Sequence, residues 1–167
     1  MKKAIVLLLA MVLTFGLALP AAAAPGDPGE PLPSQQGAPV PKLEQEEYVA
    51  SDGTRVRVEL LAPEEQNLTE EETKELETAW KALPDAAEPG MNIKYFFYVR
   101  ITPVEGVKKD ADSKLSVDII VKIENVAEVV VKQFIDGVWI EREVVDNGNG
   151  TFTIKGVTEG PMAILTK

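Results

Sequence analysis

The stretch Val129-Val-Val-Lys132-Gln-Phe134-Ile-Asp136-Gly137-Val-Trp139-Ile-Glu141-Arg-Glu-Val144 sets the fold class. Two runs rich in β-branched and aromatic residues flank Asp136-Gly137. An Asp-Gly pair in that position is the turn of a two-residue β-hairpin, because both central residues of the favoured turn need positive φ. The register follows from the turn. Ile135 lies opposite Val138, Phe134 opposite Trp139, Lys132 opposite Glu141 and Val130 opposite Glu143. On the other face Gln133 meets Ile140, Val131 meets Arg142 and Val129 meets Val144. The second face is the more apolar and is expected to be the core. The first carries an ion pair and an aromatic pair, each cross-strand pair being worth about 0.2–1 kcal/mol. Phe134 and Trp139 are therefore expected side by side at the surface.

The surrounding sequence repeats the same grammar. Residues 115–124, 127–135, 138–145, 151–155 and 161–166 are short runs rich in Val, Ile, Phe or Thr. Asn125, Asp136-Gly137, Asp146-Asn-Gly-Asn-Gly150 and Thr158-Glu-Gly160 separate them, a spacing that argues for packed antiparallel sheets. Within 92–102, Tyr95-Phe-Phe-Tyr-Val99 sends large side chains to both faces of a strand, so that strand is covered on both sides. Residues 47–51 and 54–61 flank Asp52-Gly53, a second hairpin signal. Val56, Val58 and Leu60 alternate there with Arg55, Arg57 and Glu59, the pattern of a strand with one wet face. Residues 105–114 are expected to be a charged loop.

One segment breaks the β pattern. Thr69-Glu-Glu-Glu72 is a capping box with Thr69 as N-cap. Leu76, Ala79, Trp80 and Leu83 follow at helical spacing as one apolar stripe, and Pro84 is expected to end the helix. The expected fold is mainly β: an antiparallel, immunoglobulin-like β-sandwich with one packed α-helix over about 69–83.

The amino-terminal residues point to export. Lys2 and Lys3 precede an apolar run over 4–19, then Pro20 and four alanines, the three-part pattern of a secretory signal peptide over 1–23. The run of about 16 residues is shorter than a bilayer span requires. No Cys follows it, so no lipoprotein anchor is expected. Six of the twelve prolines lie within 25–41, and 24–41 is expected to be a disordered Pro/Gly-rich tether. The globular domain is expected over 42–167. The expected location is secreted, extracellular or cell-surface, or periplasmic in a double-membraned host, with no stable membrane insertion after cleavage.

Composition removes whole classes of function. The 167 residues include no Cys and no His, which excludes disulfides, thiolate nucleophiles, Cys/His zinc sites and a histidine general base. The net charge is −10, from 17 basic and 27 acidic residues, and such a chain is repelled by nucleic-acid phosphates. Ser34, Ser51, Ser113 and Ser116 occupy no nucleophile motif, and there is no phosphate-binding glycine loop. Asp146-Asn-Gly-Asn-Gly150 has Gly148 where a calcium loop needs Asp or Asn, and Asp110-Ala-Asp112 is a weaker cation candidate. No cofactor, no metal and no catalysis are expected.

The candidate ligand-binding residues are Trp139 and Phe134, with Lys132 and Glu141 beside them. An exposed indole on a flat hairpin stacks on a sugar ring or grips a partner protein. The expected role is a structural or adhesion-type module whose partner is a cell-envelope component or another surface protein. The alternatives are a carbohydrate- or peptide-binding module using that hairpin, and a small hydrolase using paired carboxylates.

Three motifs near the carboxyl end, Asp136-Gly-Val-Trp139, Asn147-Gly-Asn-Gly-Thr-Phe-Thr153 and Gly160-Pro-Met-Ala-Ile-Leu165, resemble a terminal β-module of bacterial secreted and cell-surface proteins. Asn149 stands where that module usually has Asp, and Gly-Pro-Met replaces its Ser-Pro-Phe. The resemblance covers about residues 136–165. It implies an extracellular β-sandwich without a catalytic role and assigns no functional residue.

Overall fold

The computed structural model describes residues 40–104 and 114–167. Among them run β1 (Lys42–Leu43), β2 (Glu47–Val49), β3 (Arg55–Leu61), α1 (Glu70–Ala86), β4 (Asn92–Pro103), β5 (Val117–Lys122), β6 (Val129–Ile135), β7 (Val138–Arg142), β8 (Val144–Gly148), β9 (Thr151–Val157) and β10 (Gly160–Thr166). The leader 1–23, the tether 24–41 up to its last two residues, and 105–113 with Asp110 and Asp112 lie outside the described residues.

The strands form two antiparallel sheets, β2-β3-β4-β10-β6-β7 and β1-β5-β9-β8. Val58, Leu60, Phe97, Val99, Met162 and Ile164 of the larger sheet meet Ile119, Val121 and Ile154 of the smaller in one continuous core. Fully burying such a side chain contributes roughly 1.5–3 kcal/mol. The larger sheet's other face carries α1, whose Leu76, Ala79, Trp80 and Leu83 pack on Ile93, Phe96, Tyr98, Ala163 and Leu165. Where the sheet is covered on both faces, at its central strands, it has no wet side. For this reason all seven residues of β10 are buried, and its sequence does not alternate between apolar and polar. The aromatic run of β4 divides as its pattern demands, with Phe96 and Tyr98 toward the helix and Phe97 and Val99 toward the sandwich core.

The capping box of α1 is formed. The Glu72 amide donates to Thr69 Oγ1 at 3.2 Å, and the Thr69 amide donates to Glu72 Oε2 at 2.7 Å. Pro84 does not end the helix, which continues to Ala86 with Ala87 as its cap. Pro84 falls in the last turn, where its missing N–H costs one bond and the following amide of Ala87 still reaches Leu83 O at 2.9 Å.

The run 138–145 is two strands, not one. β7 belongs to the larger sheet and β8 to the smaller. The chain changes sheets at Glu143, whose carbonyl accepts from the Lys155 amide of β9 at 3.0 Å. The expected pairs Val130–Glu143 and Val129–Val144 therefore do not form, and the ladder stops at Val131–Arg142. The opposite side closes in the same way. The Glu44 amide donates to Ile120 O in the smaller sheet at 3.0 Å, while Glu46 O accepts from the Val58 amide in the larger at 3.1 Å. Strands that switch sheets make both corners of the sandwich and shorten its exposed edges.

Candidate functional site

The β6–β7 hairpin has the register that Asp136-Gly137 dictates. Phe134 pairs with Trp139 and Lys132 with Glu141, and Asp136 and Gly137 take φ of 51° and 86°. All four candidate residues share one face; α1 packs over its aromatic pair, while Glu141 stays exposed. Phe134 is buried and Trp139 is half-buried. The Trp139 ring packs 5.4 Å from Phe134 and 6.4 Å from Phe96, which in turn lies 5.1 Å from Trp80 of the helix. Its Nε1 donates to Ala79 O at 3.1 Å. The expectation of an exposed aromatic pair is corrected: the indole ring packs on Phe134 and Phe96 of the sheet, and its N–H is taken by the helix. Lys132 also lies mostly buried on this face and reaches Glu141 at 3.8 Å, its stem covered and its ammonium at the rim.

The face expected to be core is mixed. Val131 is buried, Ile140 is 42% exposed, and Gln133 is fully buried. Gln133 Oε1 accepts from Arg142 Nε and Nη2 at 3.0 and 2.8 Å and from the Thr158 amide at 3.2 Å, while its Nε2 donates to Thr158 O. This polar knot sits where the smaller sheet turns away. Burial pushes the Arg142 pKa down.

The helix start is tied to the sheet by ions. Arg100 of β4 donates from Nε to Glu72 Oε1 at 2.8 Å and from Nη2 to Glu72 Oε2 at 2.6 Å. Its Nη1 lies 3.5 Å from Glu59, and its Nη2 also donates to Asn67 O at 2.9 Å. The Arg100 hydrogen bonds hold the Glu72 carboxyl below its ordinary pKa. Nearby, the Tyr98 hydroxyl donates to Glu75 Oε2 at 3.2 Å. Burial raises the pKa of both, with the neighbouring negative charge adding to the rise at Tyr98.

This network borders a groove that sequence patterning did not single out. It has a volume of about 490 Å³ and is lined by Glu46, Arg57, Val58, Glu59, Leu60, Leu61, Glu65 and Asn67. Its floor is the outer edge of β3. The Val104 amide bonds Arg55 O at 2.9 Å, so Arg55, Arg57, Glu59 and Leu61 direct their main-chain groups to β4, while Val56, Val58 and Leu60 direct theirs outward. Val56 faces Tyr48 of β2, and Val58 bonds Glu46. The next position along would place Glu44 opposite Leu60, but Glu44 is bonded to β5 in the other sheet. Leu60 is left with its N–H and C=O facing the groove. Beyond it the edge is sealed, since Ala62 O accepts from the Glu65 amide at 3.0 Å. A faint signal existed in the sequence: the run 47–51 is shorter than its partner 54–61, so part of the longer strand has nothing to pair with.

The Asp146–Gly150 segment closes on itself. Asp146 Oδ1 accepts from the Gly148 amide at 2.8 Å, and Thr151 Oγ1 donates to Gly148 O at 2.9 Å. Among the described residues no three acidic side chains gather as a metal would require, and no helix is long and apolar enough to cross a membrane. No protein-family model, no curated protein and no solved structure matches the chain.

Proposed function

We propose that this chain is an exported, non-catalytic β-sandwich module of the bacterial envelope or extracellular space, working by adhesion to another surface protein. The export-type leader and the Pro/Gly stretch behind it support delivery and display outside the cytoplasm. The absence of His and Cys supports a role without covalent chemistry. The observation that carries the reading is the contrast between two surfaces. The aromatic hairpin, the best ligand platform in the sequence, is consumed in docking α1, whereas the groove beside Leu60 is open, polar and set on a sheet edge. A sheet edge recognises polypeptide through its main chain.

The test is sedimentation of the exported, purified protein with washed cell envelopes, either untreated, protease-stripped or muramidase-digested. Binding lost after protease but kept after glycan digestion is the expected result. Binding that survives protease, or no binding, would contradict a protein partner.

A further inference from the structure

We propose that the groove beside Leu60 is a strand-addition slot for a short, extended, lysine- or arginine-bearing segment of a partner protein. This rests on the adhesion reading above and assigns that function a ligand and a place. Three observations support it. First, β3 presents a main-chain donor and acceptor at Leu60 that no strand meets among the described residues, because the chain parts from this edge at Glu46, toward β1 and β5. Main-chain groups of a sheet edge pair with an added strand and fix its direction. Second, the slot has ends. Glu46 closes one, where β2 already pairs with β3, and the Ala62–Glu65 turn closes the other, so it accepts a few residues rather than a long strand. Third, its lining is unbalanced. Among the described lining residues, Glu46, Glu59 and Glu65 stand against the guanidinium of Arg57. Glu59 is partly neutralised by Arg100 at 3.5 Å, whereas Glu46 and Glu65 form no ion pair among the described residues. A basic side chain on the added strand meets a complementary field, and an acidic one is repelled.

The experiment is a titration of the isotope-labelled, exported protein, followed by amide resonances and hydrogen exchange. The probes are Ac-Lys-Val-Lys-Val-NH2, its Glu-Val-Glu-Val counterpart and a fully N-methylated lysine peptide. The expected result is a shift and slowed exchange at the Leu60 amide with the first peptide alone. In the exposed-site double variant E46K/E65Q, binding should weaken by about tenfold. The Glu65→Gln change keeps a side-chain oxygen for the Ala62 amide, so the turn that ends the slot is retained. Equal response to the acidic peptide would overturn the charge selection. Equal binding of the N-methylated peptide would overturn strand addition. Perturbation centred away from Leu60 would overturn the location. A silent Leu60 with protease-sensitive envelope binding intact removes the slot and leaves the adhesion reading standing, and loss of both removes both.

Discussion

Replacing Glu72 tests how the helix is held to the sheet, and with it the wall of the groove. Glu72 is 7% exposed and accepts three hydrogen bonds: one from the Thr69 amide at 2.7 Å and two from Arg100 at 2.8 and 2.6 Å. Glutamine has one oxygen and an NH2 group. In either orientation the NH2 faces a donor, so at least one bond is lost and the remainder lose their charge. A charge-assisted bond contributes about 1.5–3 kcal/mol and an unmet donor costs a comparable amount, which sets Glu72→Gln near 2 kcal/mol. Glu72→Ala also removes the capping oxygen and should cost about 3–4 kcal/mol. For a domain of this size, 2 kcal/mol lowers Tm by roughly 6–10 °C. The pH dependence has a definite sign. Arg100 depresses the folded-state pKa of Glu72, so its contribution is fully present above the unfolded carboxyl value and is lost as pH falls through the folded one. The gap between parent and variant should be widest near neutrality and narrow in acid. Urea unfolding followed by fluorescence of Trp80 and Trp139, both at the helix interface, reads this directly. A Glu72→Gln loss below about 0.5 kcal/mol, the scale of an exposed pair, or a gap constant down to strongly acid pH, would mean that Glu72 does not tie the helix to Arg100 as a buried charge.

Two further substitutions probe the hairpin. Trp139→Phe keeps a ring against Phe134 and Phe96 but removes the indole N–H bond to Ala79 O, a carbonyl that still accepts its helical bond inside α1, and should cost about 1 kcal/mol; the tryptophan emission should lose the Trp139 component. Gln133→Leu leaves the Arg142 guanidinium and the Thr158 groups without partners and should cost about 2–4 kcal/mol by urea unfolding, whereas Gln133→Leu with Arg142→Leu should recover part of that loss.

Local rules account for the elements and long-range packing for the surprises. The Asp136-Gly137 turn carried the hairpin register, the alternation of Val56, Val58 and Leu60 carried β3, and Thr69 with Glu72 carried the start of α1. Each depends on neighbours within a few residues. That α1 lies across the hairpin is a contact between Ala79 and Trp139, sixty positions apart, and Lys132 and Glu141 gave that face the look of a wet one. Gln133 is buried for a reason visible only in three dimensions, since its partners come from β7 and from the turn before β10. The change of sheet at Glu143 has no Gly or Pro to mark it. The groove is less legible still, because it is made by where the chain departs from β3 rather than by any motif.

Adhesion through the β3 edge is tested most directly by envelope sedimentation of three exported proteins side by side: the parent, E46K/E65Q and Trp139→Phe, with folding of each verified by circular dichroism. A slot at Leu60 predicts that the parent and Trp139→Phe sediment alike and that E46K/E65Q remains in solution. Sedimentation kept by E46K/E65Q and lost by a folded Trp139→Phe would contradict it and return the binding site to the aromatic hairpin.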